Sequence, residues 1–120
     1  MAKKILIVDD SPAEIAQLRT LLHDAGYDTV TASNGREAVS KAGSEQPSMI
    51  LMDVVMPDMD GYEACRQLRA NPATKQIPVV IVSSKNQKAD QLWASMQGAK
   101  ALIGKPPRSE DILAAVQAYA

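Results

Sequence analysis

The sequence predicts an α/β protein: one doubly wound sheet of five parallel strands in a single (βα)5 chain. Three observations lead there. Short apolar runs alternate with stretches of helical period along the whole chain. Three of the runs are nearly continuous Ile, Leu, Val and Met, the composition of strands covered on both faces. The 120 residues suit one such unit, so residues 1–120 are read as a single domain. Strand–helix–strand crossovers are right-handed, which distributes helices over both faces of the sheet.

The first strand is Lys4–Val8, closed by Asp9 and Asp10. Ser11-Pro12-Ala13-Glu14 opens the first helix as a capping-box pattern with proline at the first helical position. Ile15, Leu18, Leu21, Leu22 and Ala25 then share one face, and Gly26 suits the end. Asp28–Ala32 is the second strand. Asn34-Gly35-Arg36-Glu37 starts the second helix, with Ala38, Val39 and Ala42 facing inward. Ser48–Met52 is the third strand, and Tyr62–Ala70 the third helix, stopped by Asn71-Pro72. Ile77–Val82 is the fourth strand. The fourth helix, Gln87–Gln97, ends at Gly98; its stripe of Ala89, Leu92, Trp93 and Met96 is expected to pack on the core, with a partner surface as the second reading. Lys100–Ile103 is the fifth strand, and Ser109-Glu110-Asp111 opens the fifth helix, with Ile112, Leu113 and Val116 inward.

Composition narrows the function classes. A formal charge of −1 without a basic stripe argues against a nucleic-acid partner. No segment approaches the ~20 apolar residues of a membrane span, and no leader pattern is present; a cytoplasmic protein without membrane insertion is expected. Cys65 is the sole cysteine, so neither an internal disulfide nor a thiolate metal cluster can form, and packing is its expected role. His23 reads as a solvated helix-end residue. Met52, Met56 and Met59 read as adaptable packing.

In a doubly wound sheet, ligands bind beyond the carboxyl ends of the strands. Asp9 and Asp10 follow strand 1, Asp53 follows strand 3, Ser83 and Ser84 follow strand 4, and Lys105 follows strand 5. The polar residues with chemical potential thus converge on one edge. Carboxylates gathered there repel one another unless a cation joins them. Their hard oxygens suit Mg²⁺, which binds through one or two carboxylates and leaves room for a phosphate oxygen. Lys105 supplies a positive charge and Ser83 a hydroxyl for the remaining oxygens of a phosphoryl group. Asp53, at the end of the middle strand, is the candidate nucleophile.

Four stretches carry a family resemblance: Ile5-Leu6-Ile7-Val8-Asp9-Asp10-Ser11; Met52-Asp53-Val54-Val55-Met56-Pro57-Asp58-Met59-Asp60-Gly61; Pro78-Val79-Val80-Ile81-Val82-Ser83-Ser84; and Gly104-Lys105-Pro106. In this order and spacing the chain resembles the response-regulator receiver family, with its flavodoxin/CheY-like fold. The resemblance implies that Asp53 is the phosphoacceptor and that Asp10, Asp53 and the backbone carbonyl of Val55 contact Mg²⁺, with Asp9 acting through water. It implies that Ser83 is the switch hydroxyl, that Lys105 contacts the phosphoryl group, and that the Lys105–Pro106 bond is cis. It also implies a monomer serving a histidine kinase (CheA-like) or phosphotransfer domain, and a downstream protein target met through helix 4, strand 5 and helix 5. The domain would then be a phosphoacceptor switch and not an enzyme acting on other substrates. Lys85-Asn86-Gln87, Leu92-Trp93, Gln97-Gly98-Ala99 and an acid at Glu14 are similar to the PilH/PilG branch, serving pilus motility or taxis. Leu102 departs from the family pattern, standing where an aromatic residue is common.

A flavin-binding protein of flavodoxin type is disfavoured, because Asp9-Asp10 would repel the phosphate that its first loop must hold, and two other readings remain open. An aspartyl-phosphate phosphatase of haloacid-dehalogenase type needs a second Asp two residues after the nucleophile, where this sequence has Val55 after Asp53 and Ser11 after Asp9. A receiver used only as an unphosphorylated scaffold would not require the full set of pocket residues.

Overall fold

A computed structural model describes residues 3–56 and 59–120; Pro57 and Asp58 of the second motif lie outside the described residues. Its elements run β1 (Lys4–Val8), α1 (Pro12–Asp24), β2 (Asp28–Ala32), α2 (Gly35–Glu45), β3 (Met49–Met52), α3 (Gly61–Ala70), β4 (Val79–Ser83), α4 (Lys88–Met96), β5 (Ala101–Gly104) and α5 (Ser109–Tyr119). The strands form one sheet in the order β2-β1-β3-β4-β5, all pairs parallel. The predicted doubly wound (βα)5 architecture is therefore the observed one.

The alternation of side chains along each strand sorts the core into two layers. Leu6, Val8, Ile50, Met52, Val79 and Ile81 face α2, α3 and α4, meeting Ala38, Ala42, Ala64, Cys65, Leu68 and Ala94. Ile5, Ile7, Met49, Leu51, Val80 and Val82 face α1 and α5, meeting Leu18, Leu22, Ile112, Ala115 and Val116. The central strands β1, β3 and β4 are buried on both sides, which is why they read as unbroken apolar runs. At the edges, β2 and β5 are only partly buried.

The helices stop where the sequence signals that they must. Gly26 and Gly98 follow α1 and α4 with φ of 92° and 90°, a left-handed conformation that costs glycine no Cβ clash. In both, the glycine and the residue after it turn their amides back onto the last helical turn, as Gly26 N–H does to the His23 carbonyl and Tyr27 N–H to that of Leu22. Buried Thr74 donates its hydroxyl to the Leu68 carbonyl at 2.7 Å, closing the end of α3.

Several element boundaries and one helix face shift. β4 begins at Val79, not Ile77, because its ladder with β3 starts at Ile50↔Val79, while Ile77 N–H turns back to the Thr74 carbonyl. β4 and β5 each run one residue further than expected, since Ser83 pairs with Gly104. The larger correction is α4. Leu92, Trp93 and Met96 are 63%, 53% and 60% exposed, and Ala94 is the buried residue of that helix. The stripe expected to face the core therefore faces outward, because Ala94, and not the large residues, is what α4 lays against the sheet. His23 is solvated as expected, its Nε2 paired with the Thr29 hydroxyl at 2.9 Å.

Leu22 is fully buried, so Leu22→Ala should lower unfolding free energy in urea by about 2–5 kcal/mol, whereas Leu92→Ala should stay within about 0.5 kcal/mol of the parent. Burial pushes the Cys65 thiol up to about 12, against a smaller opposing effect of Arg69 and Arg66. At pH 8 a maleimide should therefore label Cys65 slowly in native protein and rapidly in urea; equal rates would show the side chain to be accessible.

Candidate functional site

The site is built by strand register. Val8 pairs with Met52, so the residues that follow them, Asp9 and Asp53, leave the sheet side by side. Asp53 N–H donates to the Val8 carbonyl at 3.0 Å, and Asp9 N–H to that of Ala32 at 3.1 Å, which continues both ladders one step past the strands. β1 and β3 flank the point where strand order reverses, the place where such sheets open a crevice. Asp9 and Asp53 are buried, and Asp10 is exposed.

Lys105 arrives from the other half of the sheet. Its amide donates to the Ser83 carbonyl at 3.0 Å, and the Lys105–Pro106 peptide is cis as expected. Its ammonium donates to Asp9 Oδ2 at 2.7 Å, Glu14 Oε2 at 2.8 Å and Asp53 Oδ2 at 3.0 Å. An ammonium has three N–H donors, and each has found a carboxylate. Burial works against the charge, but the bonds to Asp9, Glu14 and Asp53 outweigh it and hold the Lys105 pKa above the ordinary lysine range.

Glu14 is not among the site residues expected from the sequence, where it stands as a helix cap and as one mark of the PilH/PilG likeness. The signal for its second role was weak: an acid at the third position of the helix that follows Asp9 and Asp10.

The remaining expected residues are found in distinct surroundings. Ser83 is fully buried at the end of β4, and its Oγ accepts the Lys85 N–H at 3.1 Å. Val55 N–H donates to Asp53 Oδ1 at 3.2 Å, a tight loop that orients the Asp53 carboxylate. The Val55 side chain is half exposed. Gly61, the first residue of α3, lies against the same loop: a Cβ there would stand 2.3 Å from the Asp53 carbonyl oxygen and 2.9 Å from Val54 Cα. Gly61 N–H donates to the Val54 carbonyl at 2.9 Å, so α3 starts directly on the backbone that carries Asp53.

Asp9, Asp10 and Asp53 each offer a carboxylate oxygen, all within 4.8 Å of one another. Two such charges at ~4 Å repel by about 4 kcal/mol at an effective dielectric of ~20. A small hard cation relieves that repulsion, and an all-oxygen donor set with an exposed member suits an ion that keeps part of its water shell. The donor chemistry thus fits Mg²⁺.

The chain is similar to known proteins over nearly its whole length. Residues 5–117 match the model of the response regulator receiver domain family. Protein PilH of Pseudomonas aeruginosa is 42% identical over 115 residues, covering 96% of this chain and 95% of PilH. The chemotaxis protein CheY4 of Vibrio cholerae superposes with a TM-score of 0.93 at 31% identity, covering both chains fully (100% of each). The receiver domain of the sensor histidine kinase PA1611 of P. aeruginosa superposes with a TM-score of 0.91 at 25% identity, covering 99% of this chain and 98% of that one. Its crystal structure has magnesium coordinated in the active site cleft.

Gly61→Ala should destabilise the domain by about 1–3 kcal/mol, since the new methyl meets backbone that cannot rotate away. The control is Gly43→Ala on the exposed side of α2, where a Cβ meets nothing within 4 Å and helix propensity should add up to about 1 kcal/mol. Urea midpoints moving in opposite directions are the expected result.

Proposed function

The chain belongs to the response regulator receiver family, and from that premise we propose that Asp53 is its phosphoacceptor, charged by a histidine kinase (CheA-like) or a phosphotransfer domain. The observation that carries the reading is the Lys105 ammonium bonded to Asp53 at the edge where Asp9 and Asp10 converge. A carboxylate nucleophile and a fixed cation within 3.0 Å of it are what attack on a phosphoryl group needs.

An Asp53 carboxylate oxygen attacks phosphorus, the bond from phosphorus to the donor's imidazole nitrogen breaks with its electron pair going to that nitrogen, and neutral imidazole leaves, keeping the proton it already carried on its other ring nitrogen. The product is an acyl phosphate on Asp53. Asp10, Asp53 and the Val55 carbonyl would hold Mg²⁺, with Asp9 acting through water. A bound Mg²⁺ supplies charge neutralisation for the phosphoryl oxygens. Lys105 exchanges its bond with Asp53 Oδ2 for one to a phosphoryl oxygen. Ser83 swings its hydroxyl from the Lys85 amide toward the same group, taking the β4–α4 connection with it. Moving such a switch from 1:99 to 99:1 takes about 5.5 kcal/mol of differential stabilisation. Charge-assisted bonds from Lys105 and Ser83 are the contacts that differ between the two states.

The output is a protein contact through α4, β5 and α5, where Leu92, Trp93 and Met96 stand exposed. With Leu102 in place of an aromatic residue, the signal passes by Ser83 and a shift of α4, not by burial of a ring. Pilus motility or taxis is the pathway that the likeness to PilH favours. We read residues 1–120 as one cytoplasmic, monomeric receiver domain that binds no nucleic acid and inserts in no membrane; no helix among the described residues is long and apolar enough to cross one. The phosphatase reading has no support at Val55, which stands where its general acid would be needed, and the pocket's completeness disfavours the scaffold reading.

Incubation with a small phosphoramidate donor and Mg²⁺, followed by intact mass, tests the assignment. One added phosphoryl group is expected, absent with chelator and absent in Asp53→Asn. Unchanged labelling of Asp53→Asn would sink it.

A further inference from the structure

Glu14 occupies the third position of α1, where a glutamate ordinarily turns back to cap the amide of the Ser11 that begins the helix. Only half of that box forms. Ser11 Oγ accepts the Glu14 N–H at 3.4 Å, but the Ser11 amide donates to Asp9 Oδ1 at 2.9 Å instead. The Glu14 carboxylate is thereby released from capping, and it goes to Lys105 Nζ at 2.8 Å.

The three partners of Lys105 are not equivalent. Asp9 and Asp53 belong to the carboxylate group able to hold a cation, and Glu14 does not. Asp53 is also the longest of the three contacts, at 3.0 Å, and is the one consumed when its oxygen bonds phosphorus. Glu14 is the remaining carboxylate whose bond to Lys105 competes neither with a cation nor with the phosphoryl group. It is 40% exposed at the mouth of a cavity of about 280 Å³ between α1 and the start of α5, lined also by Leu18, Leu21, Pro106 and Ile112. A changed side chain at position 14 has room there.

We propose that Glu14 is a positioning residue for Lys105, holding its ammonium over Asp53 when Asp9 and Asp53 are engaged elsewhere. It acts through Lys105 and touches no reacting atom. The proposal rests on Asp53 being the phosphoacceptor. Removing Glu14 leaves Lys105 tied only to groups that a bound cation also claims, and two cations sharing the same carboxylates repel. The ammonium then spends more of its time in solvent, and the rate of phosphoryl transfer falls.

The test uses the full chain, with Glu14→Gln, Glu14→Asp, Lys105→Met and the Glu14→Gln/Lys105→Met pair, at saturating Mg²⁺. Initial labelling by phosphoramidate is read by intact mass. Loss of one partly exposed charged hydrogen bond predicts a drop of about three- to tenfold for Glu14→Gln, with the half-saturating donor concentration little changed. Glu14→Asp keeps the charge but is one methylene shorter, and it should behave like Glu14→Gln. In the Lys105→Met background Glu14→Gln should cost nothing more. The ¹⁵N signal of the Lys105 ammonium, observed in Mg²⁺-loaded protein without donor, should persist in the parent and vanish by exchange in Glu14→Gln, with thermal midpoints matched. A parental rate and a retained ammonium signal in Glu14→Gln would overturn the proposal, as would an equal further loss in the Lys105→Met background. Labelling of Asp53→Asn at the parental rate would instead remove the phosphoacceptor reading, an outcome visible without any Glu14 variant.

Discussion

One ammonium group offsets part of the negative charge gathered at the acidic edge of this sheet. Four carboxylates, from Asp9, Asp10, Glu14 and Asp53, converge there, and Lys105 binds three of them. With neither Lys105 nor a bound cation, burial of Asp9 and Asp53 side by side would work against folding. The lysine reaches them because β5 pairs with β4 in a register that ends on Ser83↔Gly104, and because the next amide stays bonded to Ser83. A slip of one residue in that edge strand would turn Lys105 to the other face of the sheet. The rest of the sheet is in this sense a device for delivering residues from four strand ends to one point.

The two layers around the sheet are held with different firmness. α1 and α5 bury large aliphatic side chains, Leu18, Leu22, Ile112 and Val116, against one face. On the other face α2 and α3 meet the sheet mainly through alanines, Cys65 and Leu68, which brings helix backbones close. α4 is the extreme: Ala94 is its buried residue, and its larger apolar side chains point to solvent. Two polar ties hold its ends, the Tyr62 hydroxyl donating to the Asp90 carbonyl at 3.2 Å and an Arg69 guanidinium N–H to that of Met96 at 3.3 Å. An element with so little buried apolar contact is the one that can shift at low cost. It adjoins the connection that leaves Ser83 at the end of β4.

Local and tertiary demands compete openly at the start of α1. A helix would take both halves of its capping box, worth about 1 kcal/mol. Here Asp9 serves the Ser11 amide, and Glu14 serves Lys105. The helix keeps one capping bond and its proline, and the pocket gains a carboxylate. Such departures from local optimum are expected where a chain builds a site.

How much of this was legible in the chain follows from the range of each interaction. Strand runs, helix stops at Gly26 and Gly98, and polar residues after strands are written in neighbouring residues, so the architecture and the positions of Asp9, Asp10, Asp53, Ser83 and Lys105 could be read without coordinates. Periodicity on α4 could not say which side of the helix would be buried, because Ala94 and the Leu92–Trp93–Met96 side are both apolar and only the sheet's shape chooses between them. Nor could it reveal Glu14 as a partner of Lys105, since 91 residues separate them and a glutamate at that helix position already had a local explanation. The sequence by itself determined the fold, and with it which edge of the sheet would carry the charged residues. The tertiary structure decided how one ammonium shares itself among three carboxylates, because that depends on distances which no local pattern encodes.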